Sequence, residues 1–239
     1  MISLCDIHCH ILPGVDDGCA DVAETLQVLQ TAREQGVRDL IATPHYYAQR
    51  ESVDAFLRRR ADAYASVLPQ LPANMRICLG AEVAYFNGIH QCAELEQLCL
   101  GNSRFLLLEL PYAPWDSNVL RVLQNLICIR GFTPILAHVE RYWHLQSKQM
   151  LREVLSLDVL VQMNGVCLLR FPDVFLARRL LKKGMVQLLG SDCHNTTDRS
   201  YCLGKAAAYM QRRGMSEQLR RAANLSAEIF DQAYIEKIL

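Results

Sequence analysis

The sequence predicts an α/β chain built on a parallel sheet of seven strands. Seven short, almost continuously apolar runs recur along the 239 residues, and longer amphipathic stretches separate them. Strands buried on both faces need such unbroken apolar runs, and their alternation with helices is the pattern of parallel crossovers. A third observation bounds the size. With 51% hydrophobic residues, a chain of this length can bury one large core, so a single domain over residues 1–239 is expected. The alternation leaves open whether the sheet closes into a barrel or stays open and doubly wound.

The first apolar run, residues 2–8, reads as a strand. Asp21 and Glu24 then look like a capping box opening a helix that runs to about Gln35 and stops at Gly36. Residues 39–44 form the second strand. Val53, Phe56, Leu57, Ala61, Tyr64, Val67 and Leu68 recur at helical spacing until Pro69 and Pro72 end the pattern. Strands at 77–83, 105–110, 134–138, 159–164 and 186–191 complete the set. Helices are expected at 117–130, 147–157, 172–183 and 201–213. The last stretch, 215–239, is expected to be helical and to pack on the exterior of the sheet structure.

Lys plus Arg and Asp plus Glu both number 25, so the chain has no bulk field for nucleic acid or an anionic membrane. Attraction for an anionic substrate must be local, and bound cations would supply it. The ten cysteines are scattered, with no Cys-x-x-Cys pair, and several sit in apolar runs as small hydrophobes. No secretory signal and no membrane-spanning run is visible, so free thiols in a reducing cytoplasm are expected. The sequence sets no oligomeric state.

The chemistry sits where the strands end. The first ends in His8-Cys-His10 and continues to Asp16-Asp17; the second ends at His45, the third at Glu82, the fourth at Glu109. The fifth ends at His138, followed by Glu140 and Arg141. The sixth ends at Asn164, the seventh at Ser191-Asp192-Cys-His194. Parallel strands put all these ends on one side, where α/β proteins bind ligands. Five of the seven histidines fall there. A lone strand-end histidine is ordinarily structural, and a lone carboxylate caps a helix. His8-x-His10 is stronger, because side chains two apart on a strand share a face. Nine candidate ligands together (His8, His10, Asp17, His45, Glu82, Glu109, His138, Asp192, His194) point to metal. Imidazole and carboxylate suit manganese, iron(II) or zinc. Nine ligands exceed one ion's needs, and two or three ions about 4 Å apart would position a hydroxide against a phosphoryl group.

The motifs Asp6-Ile-His8-Cys-His10, Thr43-Pro-His45, Gly80-Ala-Glu82, Glu109-Leu-Pro, Ala137-His138-Val-Glu-Arg-Tyr and Gly190-Ser-Asp192-Cys-His194-Asn resemble the PHP (polymerase and histidinol phosphatase) family. His10-Ile-Leu-Pro-Gly-Val-Asp-Asp17-Gly and His138-Val-Glu-Arg-Tyr142 look like its bacterial protein-tyrosine-phosphatase branch, associated with capsular and exopolysaccharide synthesis. The resemblance implies a distorted seven-stranded (β/α)7 TIM-like barrel and a three-metal site, with manganese the first choice and iron or zinc the alternatives. By motif, His8, His10, Glu82 and Asp192 would hold one ion. A second would share Glu82 and take Glu109 and His138, and a third would use Asp17, His45 and His194. Arg141 and Arg199 match basic positions near the phosphate, with a catalytic role shared by Asp17, His45 and His194. The implied partner is a phosphotyrosine-containing protein, a bacterial tyrosine kinase among the candidates.

In-line attack by a metal-bridging hydroxide is the expected mechanism. Cysteine catalysis is not: Cys193 and Arg199 have the Cys-x5-Arg spacing, but Cys193 lies between two candidate ligands, where a buried thiol is expected rather than a phosphate-binding loop. Histidinol phosphate or another small phosphate ester is the alternative substrate. A metal-loaded, non-catalytic binding module and a nuclease- or deaminase-like barrel rank below. Arg58-Arg59-Arg60 reads as a solvated helix face. Tyr46, Tyr47, Tyr112 and Trp115 are pocket-lining or loop-packing residues, and His90 and His144 are expected to be structural.

Overall fold

The computed structural model describes residues 2–234. Its strands are β1 (Leu4–Cys9), β2 (Val37–Ala42), β3 (His45–Tyr46), β4 (Arg76–Leu79), β5 (Glu82–Ala84), β6 (Phe105–Glu109), β7 (Thr133–Leu136), β8 (Leu160–Asn164) and β9 (Leu188–Gly190). The helices are α1 (Val22–Glu34), α2 (Val53–Val67), α3 (Ser117–Cys128), α4 (Lys148–Leu155), α5 (Asp173–Lys182), α6 (Leu203–Arg212) and α7 (Ser216–Ala233). All strand pairs are parallel, in the orders β1-β2-β4 and β3-β5-β6-β7-β8-β9. An α/β fold with a parallel sheet is therefore what forms.

Among the described residues nine strands stand where seven were expected, because pairing resumes just past the second expected run and the third is broken in two. Pro44 has no N–H for the ladder, so β2 ends at Ala42 and pairing resumes at His45. Between β4 and β5 the break falls at Gly80-Ala81, where a Cβ on Gly80 would lie 2.7 Å from Leu100 Cδ2. Backbone bonds bridge both interruptions: Gly80 N–H donates to the Ala42 carbonyl (2.8 Å) and Glu82 N–H to that of Pro44 (3.1 Å).

The strands use their two faces differently. Leu40, Ala42, Leu106, Leu108, Leu136, Val161, Met163 and Leu189 face the helices in the larger core. The intervening residues Ile41, Leu107, Ile135 and Leu188, with Cys5 and Ile7, form a second, smaller core. Helix α7 covers this second face with Ile229, Phe230 and Ala233, and so does not lie on the exterior as expected. The reason is physical. An apolar inner face needs cover, and α7 carries an unbroken stripe (Leu219, Ala222, Ala223, Ser226, Ile229, Phe230, Ala233) at helical spacing. The expected continuation of this helix over 235–239 lies outside the described residues.

A bulge in β1 decides where the histidines point. Asp6 pairs with Leu40 and Cys9 with Ala42, so Ile7 and His8 together oppose Ile41. Two residues against one is a bulge, and it re-aims the side chains beyond it. Ile7 stays in the inner core while His8 joins the polar layer above it. Cys9 returns to the outer core.

At the helix termini, Asp21 accepts from Glu24 N as a capping box requires. The Glu24 carboxylate reaches Ala20 N and Thr196 rather than the cap's own N–H, tying α1 to the loop after β9.

Candidate metal centre

The inner face changes character along the strands. Its lower half is the apolar layer beneath α7; its upper half, at the strand C-termini, carries the polar residues. His45 of β3 pairs in register with Glu82 of β5, and Ala84 pairs with Glu109 of β6. His138 follows β7 and Asp192 follows β9. Both take left-handed backbone, at φ 34° and 50°, uncommon for residues with a Cβ. The Asp192 N–H donates to the His8 carbonyl at 2.9 Å, and Cys9 and Cys193 form a parallel bridge. The first and last strands are thereby joined at the site.

All nine expected ligands converge. Glu82, fully buried, is the centre: Oε2 lies 3.1 Å from His10 Nε2, 3.2 Å from His8 Nε2 and 3.1 Å from His45 Nδ1. Its Oε1 lies 2.7 Å from His138 Nε2, which is 3.5 Å from Glu109. Asp192 Oδ1 sits 3.5 and 3.4 Å from His8 and His10 Nε2. Asp17 stands at the rim, 3.6 Å from His45 Nε2 and 3.4 Å from His194 Nε2. Three sets have ligand atoms within 4.8 Å of one another: His8, His10, Glu82, Asp192; His10, Asp17, His45, His194; and His45, Glu82, Glu109. The first is the set drawn from motif. The second adds His10 to its counterpart. The third takes His45, with His138 on the far oxygen of Glu82.

Three features fit this cluster to metal. Glu82 Oε2, His45 Nδ1 and His194 Nε2 are buried and, although nitrogens and carboxylate oxygens crowd them, none makes a hydrogen bond of proper geometry, a costly state unless a cation satisfies them. Four histidines have Nδ1 engaged on the side away from the centre. His8 meets Gln162 Oε1 (3.2 Å), His10 meets Asp16 (2.7 Å), His138 meets the Tyr142 hydroxyl (3.1 Å) and His194 meets the Asp192 carbonyl (3.0 Å). That arrangement leaves Nε2 as the atom free to face a cation. Glu82 is ionised as well. Burial alone would raise its carboxyl, but His8 and His138 outweigh burial and hold it well below the usual range.

Asp16 and Asp17, left interchangeable by their adjacency, take different places. Asp16 accepts from His10, from His45 N (2.8 Å) and from Gly18 N (2.9 Å), so it supports ligands. Asp17 is exposed and faces His45 and His194. Burial would raise Asp16, but His10 wins and holds it well below the usual carboxylate range. Burial would likewise lower His10, but Asp16 and Glu82 push it up to about 10. In the metal-free protein the sign follows. Asp16's contribution is complete above its unfolded value near 4 and is lost as pH falls through its lowered folded value. His10's is complete below about 6.5 and is lost as pH rises through the raised value. Chelator-treated wild type should therefore exceed Asp16→Asn in Tm most between about pH 4 and 6.5, with the gap narrowing on either side. A constant gap in thermal melts from pH 3 to 10 would contradict the pairing.

Arg141 and Arg199 both reach Asp192. Arg199 donates to Oδ1 at 3.0 Å and to Asp17 at 3.3 Å; Arg141 pairs with Oδ2 and lies 4.0 Å from Glu109. A cavity of about 490 Å³ opens beside them, lined by Arg141, Arg199, Arg170, Leu169 and His144 among others. His144, expected to be structural, is thus a wall residue. Of the aromatic candidates, Tyr46 and Trp115 are buried and Tyr112 is exposed. Arg58-Arg59-Arg60 is only partly a solvated face, since Arg60 donates to the Gly80 carbonyl and Arg59 pairs with Glu51. Sequence reasoning missed Gln162, Tyr142 and the supporting role of Asp16. The available signal was a glutamine inside an otherwise apolar strand, two residues before Asn164.

Parallel α/β topology with histidines and carboxylates gathered where the strands end defines a class, the α/β proteins with a His/carboxylate cluster able to bind metal. The chain belongs to the capsular polysaccharide synthesis family CpsB/CapC, whose model matches residues 4–228. It is similar to the tyrosine-protein phosphatase YwqE of Bacillus subtilis, 28% identical over 227 residues that cover 89% of this chain and 85% of that protein. Tyrosine-protein phosphatase CpsB of Streptococcus agalactiae is 27% identical over 212 residues, covering 84% and 87%. In three dimensions the chain superposes with a TM-score of 0.83 on a structure from work on YwqE of B. subtilis and CpsB of Streptococcus pneumoniae, described as metal-dependent tyrosine phosphatases. The identity there is 21%, and the match covers 98% of this chain and 96% of that one. An organophosphorus hydrolase mutant from Deinococcus radiodurans shares the general fold at a TM-score of 0.55 and 14% identity, covering 96% and 93%.

Proposed function

We propose that this chain is a metal-dependent protein-tyrosine phosphatase acting in the regulation of capsular or exopolysaccharide synthesis. One observation carries the reading. Two arginines converge on Asp192, a member of the His/carboxylate cluster, so guanidinium groups stand at the edge of a site suited to several cations. Family membership and the phosphatase names of the relatives support the same conclusion.

The site is read as taking two or three divalent ions, manganese first and iron or zinc as alternatives. His8, His10, Glu82 and Asp192 would hold one, Glu82, Glu109 and His138 a second, and Asp17, His45 and His194 a third. Ions held there would supply positive charge for phosphoryl oxygens and lower the pKa of a bound water. The chain's own residues do the remainder. Arg141 and Arg199 present planar donors able to meet two phosphoryl oxygens at once. Asp17, exposed beside His45 and His194, marks the side from which a substrate enters. The departing tyrosyl oxygen, with a pKa near 10, needs less proton donation than a serine would.

The two sheets are read as one distorted seven-stranded barrel of the PHP type within a single domain over 1–239. The joints at Gly80, Glu82 and Asp192 and the α7 plug support this closure. The partner is read as a phosphotyrosine-bearing polypeptide, a bacterial tyrosine kinase among the candidates. Among the described residues no helix is long and apolar enough to cross a membrane. Ten free thiols favour a reducing cytoplasm.

The test is a panel of phosphotyrosyl peptide, histidinol phosphate and an aryl phosphate, with manganese, iron, zinc and magnesium supplied separately. Turnover of the peptide with a redox-inert thiol alkylator present is the expected result. Cys9 and Cys193 are buried, and burial pushes both thiols far up, so neither offers a thiolate. Activity that survives chelation and disappears on alkylation would sink the proposal. Preference for histidinol phosphate would move the substrate to the small-molecule alternative.

A further inference from the structure

Strand β8 was expected to contribute only Asn164, with no assigned task. We propose that Gln162 and Asn164 are positioning residues that hold three of the proposed metal ligands, His8, His138 and Asp192, in binding geometry. The inference rests on the metal reading above and extends it to residues that touch no ion.

Gln162 is fully buried, and its side chain ends on three groups. Oε1 lies 3.2 Å from His8 Nδ1 and 2.7 Å from the His138 N–H; Nε2 donates to Asn164 Oδ1 at 2.9 Å. Asn164 Nδ2 in turn donates to Asp192 Oδ2 at 2.7 Å. The chain of bonds has one direction. Asp192 is a carboxylate and only accepts, so Asn164 must present its amide NH2 there and its carbonyl to Gln162. Gln162 must then present its NH2 to Asn164, which leaves its carbonyl facing His8 and His138. A carbonyl only accepts, so the His8 proton sits on Nδ1 and the Nε2 lone pair faces the cluster. Asp192 thus sets the tautomer of His8 through two amides.

Two further observations fix the geometry. His138 holds its left-handed backbone with its N–H donated to Gln162. A Cβ on Gly190 would lie 2.8 Å from Gln162 Nε2 and 2.8 Å from His8 Cβ, so β9 admits both side chains in these positions only because it carries glycine there. A polar pair serving only its own solvation would end on itself. This one ends on residues that follow or belong to β1, β7 and β9.

The test measures manganese(II) uptake by equilibrium dialysis with metal analysis. Gln162→Met keeps the side-chain length and removes both polar ends. Its affinity should fall about 10- to 100-fold, the usual loss when a ligand's supporting hydrogen bond is removed. Asn164→Leu cuts the link to Asp192 and should lower affinity about tenfold. Met163→Leu, on the opposite face of the same strand, should leave uptake unchanged. Should Gln162→Met fail to fold by circular dichroism, Asn164→Leu decides alone. Folded variants that bind manganese as wild type does, with only a lower Tm, would make the pair ordinary core and overturn the inference. A wild type that takes up none of manganese, iron(II) and zinc overturns the metal reading, and this inference with it; where only iron or zinc binds, the variants are compared with that ion.

Discussion

Replacing Glu82 by glutamine should abolish stable metal binding and lower kcat/KM for an aryl phosphate by about a thousandfold or more, roughly 4 kcal/mol of transition-state stabilisation. No other carboxylate in the cluster meets as many histidines. Its two oxygens lie within 3.2 Å of Nε2 of His8, His10 and His138 and of Nδ1 of His45. An amide keeps the shape but offers one acceptor and one donor, and the donor would face imidazole nitrogens or a cation. Chelation of the wild type should match the variant in activity, and restoring manganese should rescue only the wild type. Metal analysis beside the kinetics makes the check specific. Uptake of metal by Glu82→Gln at wild-type stoichiometry would refute Glu82 as the centre of the site.

The contrast between Glu82 and its neighbours indicates how much of this was legible in the chain. The parallel α/β pattern was readable because strands buried on both faces are mostly apolar runs with few polar interruptions. The gathering of nine residues was readable because parallel strands end on the same side. What could not be read depends on contacts distant in sequence. The β1 bulge, which turns His8 and His10 onto the inner face that Cys5 and Ile7 already occupy, is a pairing with β2 and leaves no mark in Asp6-Ile-His8 itself. The separation of Asp16 from Asp17 depends on His10 and on the backbone of His45, 29 residues away. The breaks at Pro44 and Gly80 were marked by residue type, yet whether pairing resumed beyond them was a tertiary matter. Helix α7 showed its apolar stripe plainly, but a stripe does not say which face of a sheet it will cover. Gln162 was the subtler case. Its inward direction follows from strand parity with Asn164, while the residues that this pair holds, His8 by Gln162 and Asp192 by Asn164, come from opposite ends of the chain.

Arg141→Ala should lower kcat/KM for a phosphotyrosyl peptide by about 100- to 1000-fold, the usual cost of losing one preorganised donor to a transferring group, with metal content unchanged. The guanidinium is half-buried and already held by Asp192, so it loses little freedom when a phosphoryl group arrives. Arg199→Ala should cost less. Arg199 divides its donors between Asp192 and the exposed Asp17, and an anchor at the rim is more easily replaced by water. Because both arginines lean on the same carboxylate, the double variant should depart from the product of the single effects. Arg141→Lys separates charge from geometry, since lysine keeps the charge and loses the planar pair of donors. Recovery of less than about a tenth of the lost rate would assign Arg141 to two-point contact with phosphoryl oxygens. Full recovery would leave only a positive charge beside Asp192. A loss of metal equal to the loss of rate in Arg141→Ala would instead make the arginine a support for Asp192 and remove it from the phosphate.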